Sequence, residues 1–258
     1  MTTQPLNPAS LDSGPEGSIR RVKAMAPFGW LADGLRTFKA APGYSLLYGA
    51  LFALAGVGAL ALTRGLPWFA VAFLTGLLLI AQFLAAGLYA AARRHGEGEA
   101  ISIAAALKLL GSRATNLALY ALFLALVMAA WVRISALIFA IKFTFLSPSI
   151  DDLLGVLSRE ADPVVLGFFF LIGSVLVAAV YVTSAVAVPA IVDRNSGPIT
   201  AIVLSAQAVN RNWPAMLLWA LLITALTITG ILTVFAAFVV IYPLLGYATW
   251  NSYRALVR

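Results

Sequence analysis

Long apolar stretches separated by short polar segments run through most of this chain. Six are candidates for membrane-crossing helices: 44–62, 68–92, 117–146, 164–192, 215–230 and 231–253. A helix rises about 1.5 Å per residue and a bilayer's hydrocarbon core is about 30 Å thick, so roughly 20 apolar residues make one crossing. No polar loop separates the last two stretches, and we place the turn between them at Gly230. The pattern predicts an all-α, polytopic membrane helical bundle with six transmembrane helices.

Short amphipathic segments precede the first, third and fifth of these spans. In each of them, apolar residues recur at i, i+4 and i+7, as on one face of a helix. The three sets are Leu31, Leu35 and Phe38; Ile103, Leu107 and Leu110; and Ile202, Ala206 and Val209. Each segment ends at a helix-breaking sequence, which predicts a short helix on the membrane surface before each pair of spans. The threefold spacing indicates an internal repeat; the alternative is that cytoplasmic loops in general are basic and amphipathic.

Composition supports one membrane domain preceded by a polar tail. The chain is 62% hydrophobic and only 10% charged, whereas soluble domains are about a quarter charged. Residues 1–26 lack an apolar core and are rich in Pro, Ser, Asn and Asp, which predicts a disordered tail. Residues 27–258 are predicted to form a single transmembrane helical domain.

The positive charges predict the orientation. If the N-terminus lies in the cytoplasm, thirteen of the 17 Lys and Arg residues fall on the cytoplasmic side and three, Arg64, Lys142 and Arg159, fall outside. Cytoplasmic loops of membrane proteins are enriched in Lys and Arg, so both termini are predicted to be cytoplasmic. The net charge of +7 is therefore a sign of topology, and no nucleic-acid partner is predicted.

The sequence offers little chemistry. With no Cys and a single His, thiolate and paired-imidazole metal sites are disfavoured, and we predict no metal, no cofactor and no catalytic residues. His95 has Glu97 and Glu99 nearby, but the glycines between them favour a solvated loop over a metal site. The protein is therefore predicted not to be an enzyme.

One charge, Arg133, lies deep within the apolar stretch 117–146. An ionisable residue inside the membrane is costly and is often functional. If the third and fourth spans form a hairpin, the polar groups near its level are Ser174 and, deeper, Tyr181. Arg133, Ser174 and Tyr181 are therefore a candidate intramembrane polar site for an anionic group. The alternative is that Arg133 extends its guanidinium toward the membrane surface beside Trp131.

Several segments resemble a bacterial family of predicted integral membrane proteins, the domain of unknown function 2189. The resemblance is carried by VPAIVDRNSGPITAI at 188–202, NRNWPAMLLWALLITALT at 210–227 and YPLLGYATWNSYRALV at 242–257. FGWLADGLRTFKAAPGYSLLYG at 28–49 and WVRISALIFAI at 131–141 are similar to it as well. The resemblance extends over Arg20–Val257 and implies a multi-pass protein of the bacterial inner (cytoplasmic) membrane. It implies no particular activity.

Two functions remain open. The first is a non-enzymatic accessory or assembly partner within a membrane complex, which needs only a bundle and a docking surface. The second is a carrier or channel for a small anion or lipid headgroup that uses Arg133. The expected partners are the lipid bilayer and either a membrane protein or an anionic lipid.

Overall fold

Helices form where the apolar and amphipathic patterns predict them. The computed structural model describes residues 19–65, 70–142 and 163–257, and nearly all of these residues are helical. The helices in chain order are α1 (Ala26–Ala40), α2 (Pro42–Gly65), α3 (Ala70–Gly96), α4 (Ile103–Ser112), α5 (Ala114–Lys142), α6 (Pro163–Ser184), α7 (Ala187–Arg194), α8 (Pro198–Arg211), α9 (Trp213–Leu232) and α10 (Phe238–Leu256). The all-α class is confirmed for these residues.

Four stretches of the described chain are long and apolar enough to cross a membrane. They are Pro42–Leu62, Ala114–Ile134, Leu171–Arg194 and Trp213–Leu232. They correspond to the first, third, fourth and fifth predicted spans. The second predicted span coincides with α3 and the sixth overlaps α10, and neither helix is among these four. A multi-pass helical membrane protein is therefore supported, and the count of six stays a prediction.

The fourth predicted span, 164–192, is not one continuous helix. It breaks at residues 185–186, between α6 and α7. The physical cause is Pro189, which has no N–H to donate to the carbonyl of Ala185 and whose ring clashes with that carbonyl in a continuous helix. In α7 the same proline lies in the first turn, where its missing N–H costs nothing.

The turn before α10 lies later than predicted. Gly230 is inside α9, which runs to Leu232, and the chain turns at 233–237. A Cβ at Gly230 would lie only 2.5 Å from the ring of Phe238, so this glycine serves close packing within the hairpin. Val234 and Phe235, with φ of 50° and 66°, make the turn instead.

The N-terminal segment is ordered from Ile19 onward. Ile19 pairs with Val257 in an antiparallel bridge, and Arg20 N–H donates to Leu256 O at 2.8 Å. The Asn212 side chain then binds both the Val22 N–H and the Arg20 carbonyl. Residues 19–26 of the predicted disordered tail, 1–26, are therefore ordered, and residues 1–18 lie outside the described residues.

The three predicted amphipathic helices correspond to α1, α4 and α8. Helix α1 packs along α10 through Pro27, Trp30, Gly34 and Thr37, while Leu35 on another face is exposed. At Gly34 a Cβ would lie 3.0 Å from the backbone N of Ala248, so the two helices approach closely there.

Candidate functional site

Arg133, the most conspicuous residue in the sequence, lies apart from its predicted partners. Its side chain is exposed on α5, and it has no hydrogen-bond or ion-pair partner among residues 19–65, 70–142 and 163–257. Trp131, two residues earlier, packs against α6, where a Cβ on Gly173 would lie 3.1 Å from the indole. Side chains two positions apart on a helix point about 200° apart around its axis, so Arg133 faces away from α6.

Ser174 and Tyr181 do come together, in a groove between α6 and α9. The groove has a volume of about 960 Å³, and its walls are formed by α6 from Gly173 to Val182 and by α9 from Trp213 to Thr224. Val209 of α8 closes it near the N-terminal end of α9. The structure thus brings together two of the three residues of the predicted polar site, without the charge.

Two hydroxyl groups of the groove are hydrogen-bonded to the backbone. Tyr181 Oη–H donates to Met216 O at 2.7 Å, and Thr224 Oγ1–H donates to Ala220 O at 2.8 Å. The Tyr181 bond joins α6 to α9 across the base of the groove, so this hydroxyl has a structural role. With those hydroxyls occupied, the groove presents an apolar surface, lined by Val177, Ala178, Leu217 and Leu221 among others.

The break between α6 and α7 is bridged by a serine from α8. Ser205 Oγ–H donates to Val182 O at 2.8 Å, and its oxygen accepts from Val186 N–H at 3.3 Å. These two backbone groups would bond to each other in an unbroken helix. Ser205 is fully buried, and so are Val186 and the residues of α7 up to Val192, each at most 3% exposed. The Ser205 side chain therefore gives hydrogen-bond partners to the two backbone groups that the break would leave unpaired inside the bundle.

A charged cluster lies at the C-terminal end of α7, around Asp193. Tyr253 Oη–H donates to Asp193 Oδ2 at 2.9 Å, and Arg93 Nη1 donates to the Asp193 carbonyl at 3.1 Å. The guanidinium groups of Arg93, Arg194 and Arg254 lie 3.7, 3.8 and 3.9 Å from the carboxylate. The cluster thus joins the ends of α3, α7 and α10.

Sequence reasoning missed this cluster. Asp193 directly follows the predicted fourth span, and its hydrogen-bond partners Arg93 and Tyr253 are 60 or more residues away in the chain. The sequence does contain a signal for this cluster. Asp193 is the only acidic side chain after residue 162, and it lies at the predicted cytoplasmic end of a span, on the side where most arginines are predicted to lie.

Tyr247 and Asn251 of α10 each form a hydrogen bond to an N-terminal helix. Tyr247 Oη lies 2.9 Å from Ser45 Oγ, and Asn251 Nδ2 donates to the Trp30 carbonyl at 3.3 Å. Both bonds join α10 to the N-terminal helices α1 and α2. Among the described residues, no group of three or more His, Asp, Glu or Cys side chains is close enough to hold a metal ion.

The helices, their apolar surfaces and the groove define a multi-pass helical membrane protein. Comparison with protein families agrees: residues 70–193 match the family described as predicted integral membrane protein, the domain of unknown function 2189. The match covers just under half of the chain, so the resemblance to this family is confirmed for residues 70–193, and its wider extent stays a prediction. No curated protein and no solved structure matches the chain.

Proposed function

We propose that the chain is a six-span protein of the bacterial inner membrane with both termini in the cytoplasm. Helix α3 has 27 residues and α10 has 19, which correspond to about 40 Å and 28 Å and are sufficient for two further crossings. The distribution of Lys and Arg supports the orientation. Helices α1, α4 and α8 then lie at the cytoplasmic surface, each before a pair of spans.

We further propose that the protein is a non-enzymatic accessory component that binds a membrane lipid in the groove between α6 and α9. The observation that carries this proposal is the length of the groove. From Trp213 to Thr224 the wall rises about 16 Å, which matches half of a hydrocarbon core about 30 Å thick. Half of the core is the depth that the acyl chains of one leaflet occupy.

The groove fits an acyl chain better than a partner helix. A partner's membrane helix crosses both leaflets and would need a contact surface about 30 Å long. Trp213, 64% exposed at one end, is of the residue type that occurs at the membrane–water interface. The lipid's headgroup would therefore lie near Trp213.

The test is photocrosslinking to the full-length protein in bilayers that contain a phospholipid with a photoactivatable acyl chain. We expect crosslinked peptides from α6 and α9, and we expect Ala220→Phe to reduce them because the added ring fills the groove. Ala225→Phe is the matched control, since Ala225 is exposed on the same helix but does not line the groove.

Two outcomes would overturn the lipid proposal. Equal crosslinking in Ala220→Phe and Ala225→Phe would show that the groove holds no particular lipid. If a stoichiometric protein co-purifies in mild detergent and Ala220→Phe releases it, the chain is instead an assembly partner within a membrane complex, as the sequence favours.

A further inference from the structure

The Asp193 cluster gathers three arginines around one carboxylate. The guanidinium groups of Arg93, Arg194 and Arg254 surround Asp193, and Arg93 Nε also donates to Glu97 Oε1 at 3.0 Å. Arg254 is 63% exposed, and its only ionic partner among the described residues is Asp193, at 3.9 Å. That distance is too long for a hydrogen bond, so its donors are available to a second acceptor.

The cluster is held in place by buried structure. Tyr253 is fully buried and binds the carboxylate directly, while the side chain of Asp193 is 12% exposed. Helix α7 behind it is enclosed by the rest of the bundle. Arg93 is fixed from two sides, by Glu97 and by the Asp193 carbonyl. Asp193 and Arg93 are therefore preorganised by the fold, which lowers the conformational entropy that is lost when a ligand binds beside them.

The position of the cluster fits the level of lipid headgroups. Arg93 lies in the last turn of α3, Arg194 ends α7 and Arg254 lies in the last turn of α10. Each of these helices is mainly apolar before its arginine, so the charges gather where the apolar lengths end. Basic pockets between helices at a membrane surface are typical binding sites for anionic headgroups.

We propose that Arg254, together with Arg93 and Arg194, binds the phosphate of an anionic phospholipid headgroup. Guanidinium groups bind phosphate oxygens through paired, charge-assisted hydrogen bonds. Asp193 is a positioning residue: it gathers the three side chains around one point, and its negative charge moderates the affinity for phosphate. Free inorganic phosphate has the same chemistry, and the experiment separates the two sources.

The test is native mass spectrometry of the full-length protein, titrated with phosphatidylglycerol and with phosphatidylcholine that carry the same acyl chains. We expect the protein to prefer phosphatidylglycerol, and Arg254→Gln to weaken its binding by about tenfold, as the loss of one charge-assisted hydrogen bond implies. Phosphatidylcholine binding should be unchanged by this variant. Arg36→Gln is the control, because Arg36 is an exposed arginine on α1 that pairs with Asp33.

Asp193→Asn, unlike Arg254→Gln, should not weaken the binding of phosphatidylglycerol. Asn keeps an oxygen that can accept from Tyr253 but removes the competing charge, so binding of phosphatidylglycerol should rise or stay the same. If excess inorganic phosphate displaces the lipid from the wild type, free phosphate is an equivalent ligand; if it does not, the site needs the membrane-anchored headgroup. An unchanged lipid preference in Arg254→Gln, or an equal loss in Arg36→Gln, would overturn the proposal. So would a loss of both lipids in Asp193→Asn accompanied by a lower melting temperature, which would mark the cluster as purely structural.

Discussion

Removing the hydroxyl of Ser205 should destabilise the break between α6 and α7. In Ser205→Ala the Val186 N–H and the Val182 carbonyl each lose their bond to Oγ, at 3.3 and 2.8 Å. A buried backbone group without a partner costs about 1–3 kcal/mol. The two groups together give about 2–4 kcal/mol once partial closure of the ladder is allowed for. The substitution leaves almost no cavity, because only one oxygen is removed.

Hydrogen exchange measured by mass spectrometry tests this locally. Peptides that cover residues 182–190 should exchange about 30 to 1,000 times faster in Ser205→Ala, because each 1.4 kcal/mol is a factor of ten in the opening equilibrium. Ser112→Ala is the control, since that hydroxyl is exposed and binds only Leu109 O in its own helix. It should change stability by less than about 0.5 kcal/mol. If Ser205→Ala leaves exchange at 182–190 unchanged, the serine does not hold the break.

Two further predictions concern topology and packing. The chain has no Cys, so single cysteines can be introduced and labelled with an impermeant thiol reagent added outside. Cysteines at positions 66 and 155 should react, and cysteines at positions 97 and 196 should not. Labelling at position 97 would contradict the proposed orientation. Gly49→Ala should lower the melting temperature, because its Cβ would overlap the Val239 carbonyl. Gly58→Ala has open space around it and should be neutral or stabilising by up to about 1 kcal/mol. Equal effects of the two glycine substitutions would contradict the packing of α2 on α10.

The close approach at Gly49 also shows why a small residue alone is ambiguous in a sequence. Gly49, Gly56 and Gly58 all suit close helix packing, but only the first two are used in that way. Gly49 lies against the Val239 carbonyl, which cannot receive a bond from Pro243 four residues later, and Gly56 lies under the ring of Phe235. Both partners lie about 180–190 residues away in the chain, at positions that only the assembled hairpin of α9 and α10 defines.

Helix positions could be predicted because they depend on local pattern. The amphipathic spacing located α1, α4 and α8, and the apolar runs located the four candidate spans. The break before α7 was also predictable in principle, since Pro189 lies inside the fourth span. The turn at 233–237 was not, because Val234 and Phe235 are unfavourable residues for positive φ. There the tertiary contact of Phe235 with Gly56 overrides local preference.

The candidate sites were harder to predict, because a lone charge is easily noticed and a paired charge is not. Arg133 is conspicuous since nothing around it in the sequence is polar, yet the structure separates it from Ser174 and Tyr181. Asp193 is inconspicuous since it lies next to Arg194 in the sequence, and its partners Arg93 and Tyr253 come from distant helices. Polar contacts between spans are set by how helices rotate and slide against one another, and one sequence does not fix either.

The distribution of packing places both proposed sites at the same end of the bundle. The larger buried core combines the second half of α3, helix α7, the start of α9 and the end of α10, where Trp30 of α1 also meets Trp219 edge-to-face. Between membrane spans there is little hydrophobic driving force. Helices at the water surface, such as α1 and α8 in our proposal, do bury apolar area when they pack against the spans. Tight packing therefore concentrates at that end, and the spans beyond it remain more open to lipid. The groove begins at this end, at Trp213, and the arginine cluster around Asp193 lies there too. A lipid chain in the groove and a phosphate at the cluster would then both come from the cytoplasmic leaflet.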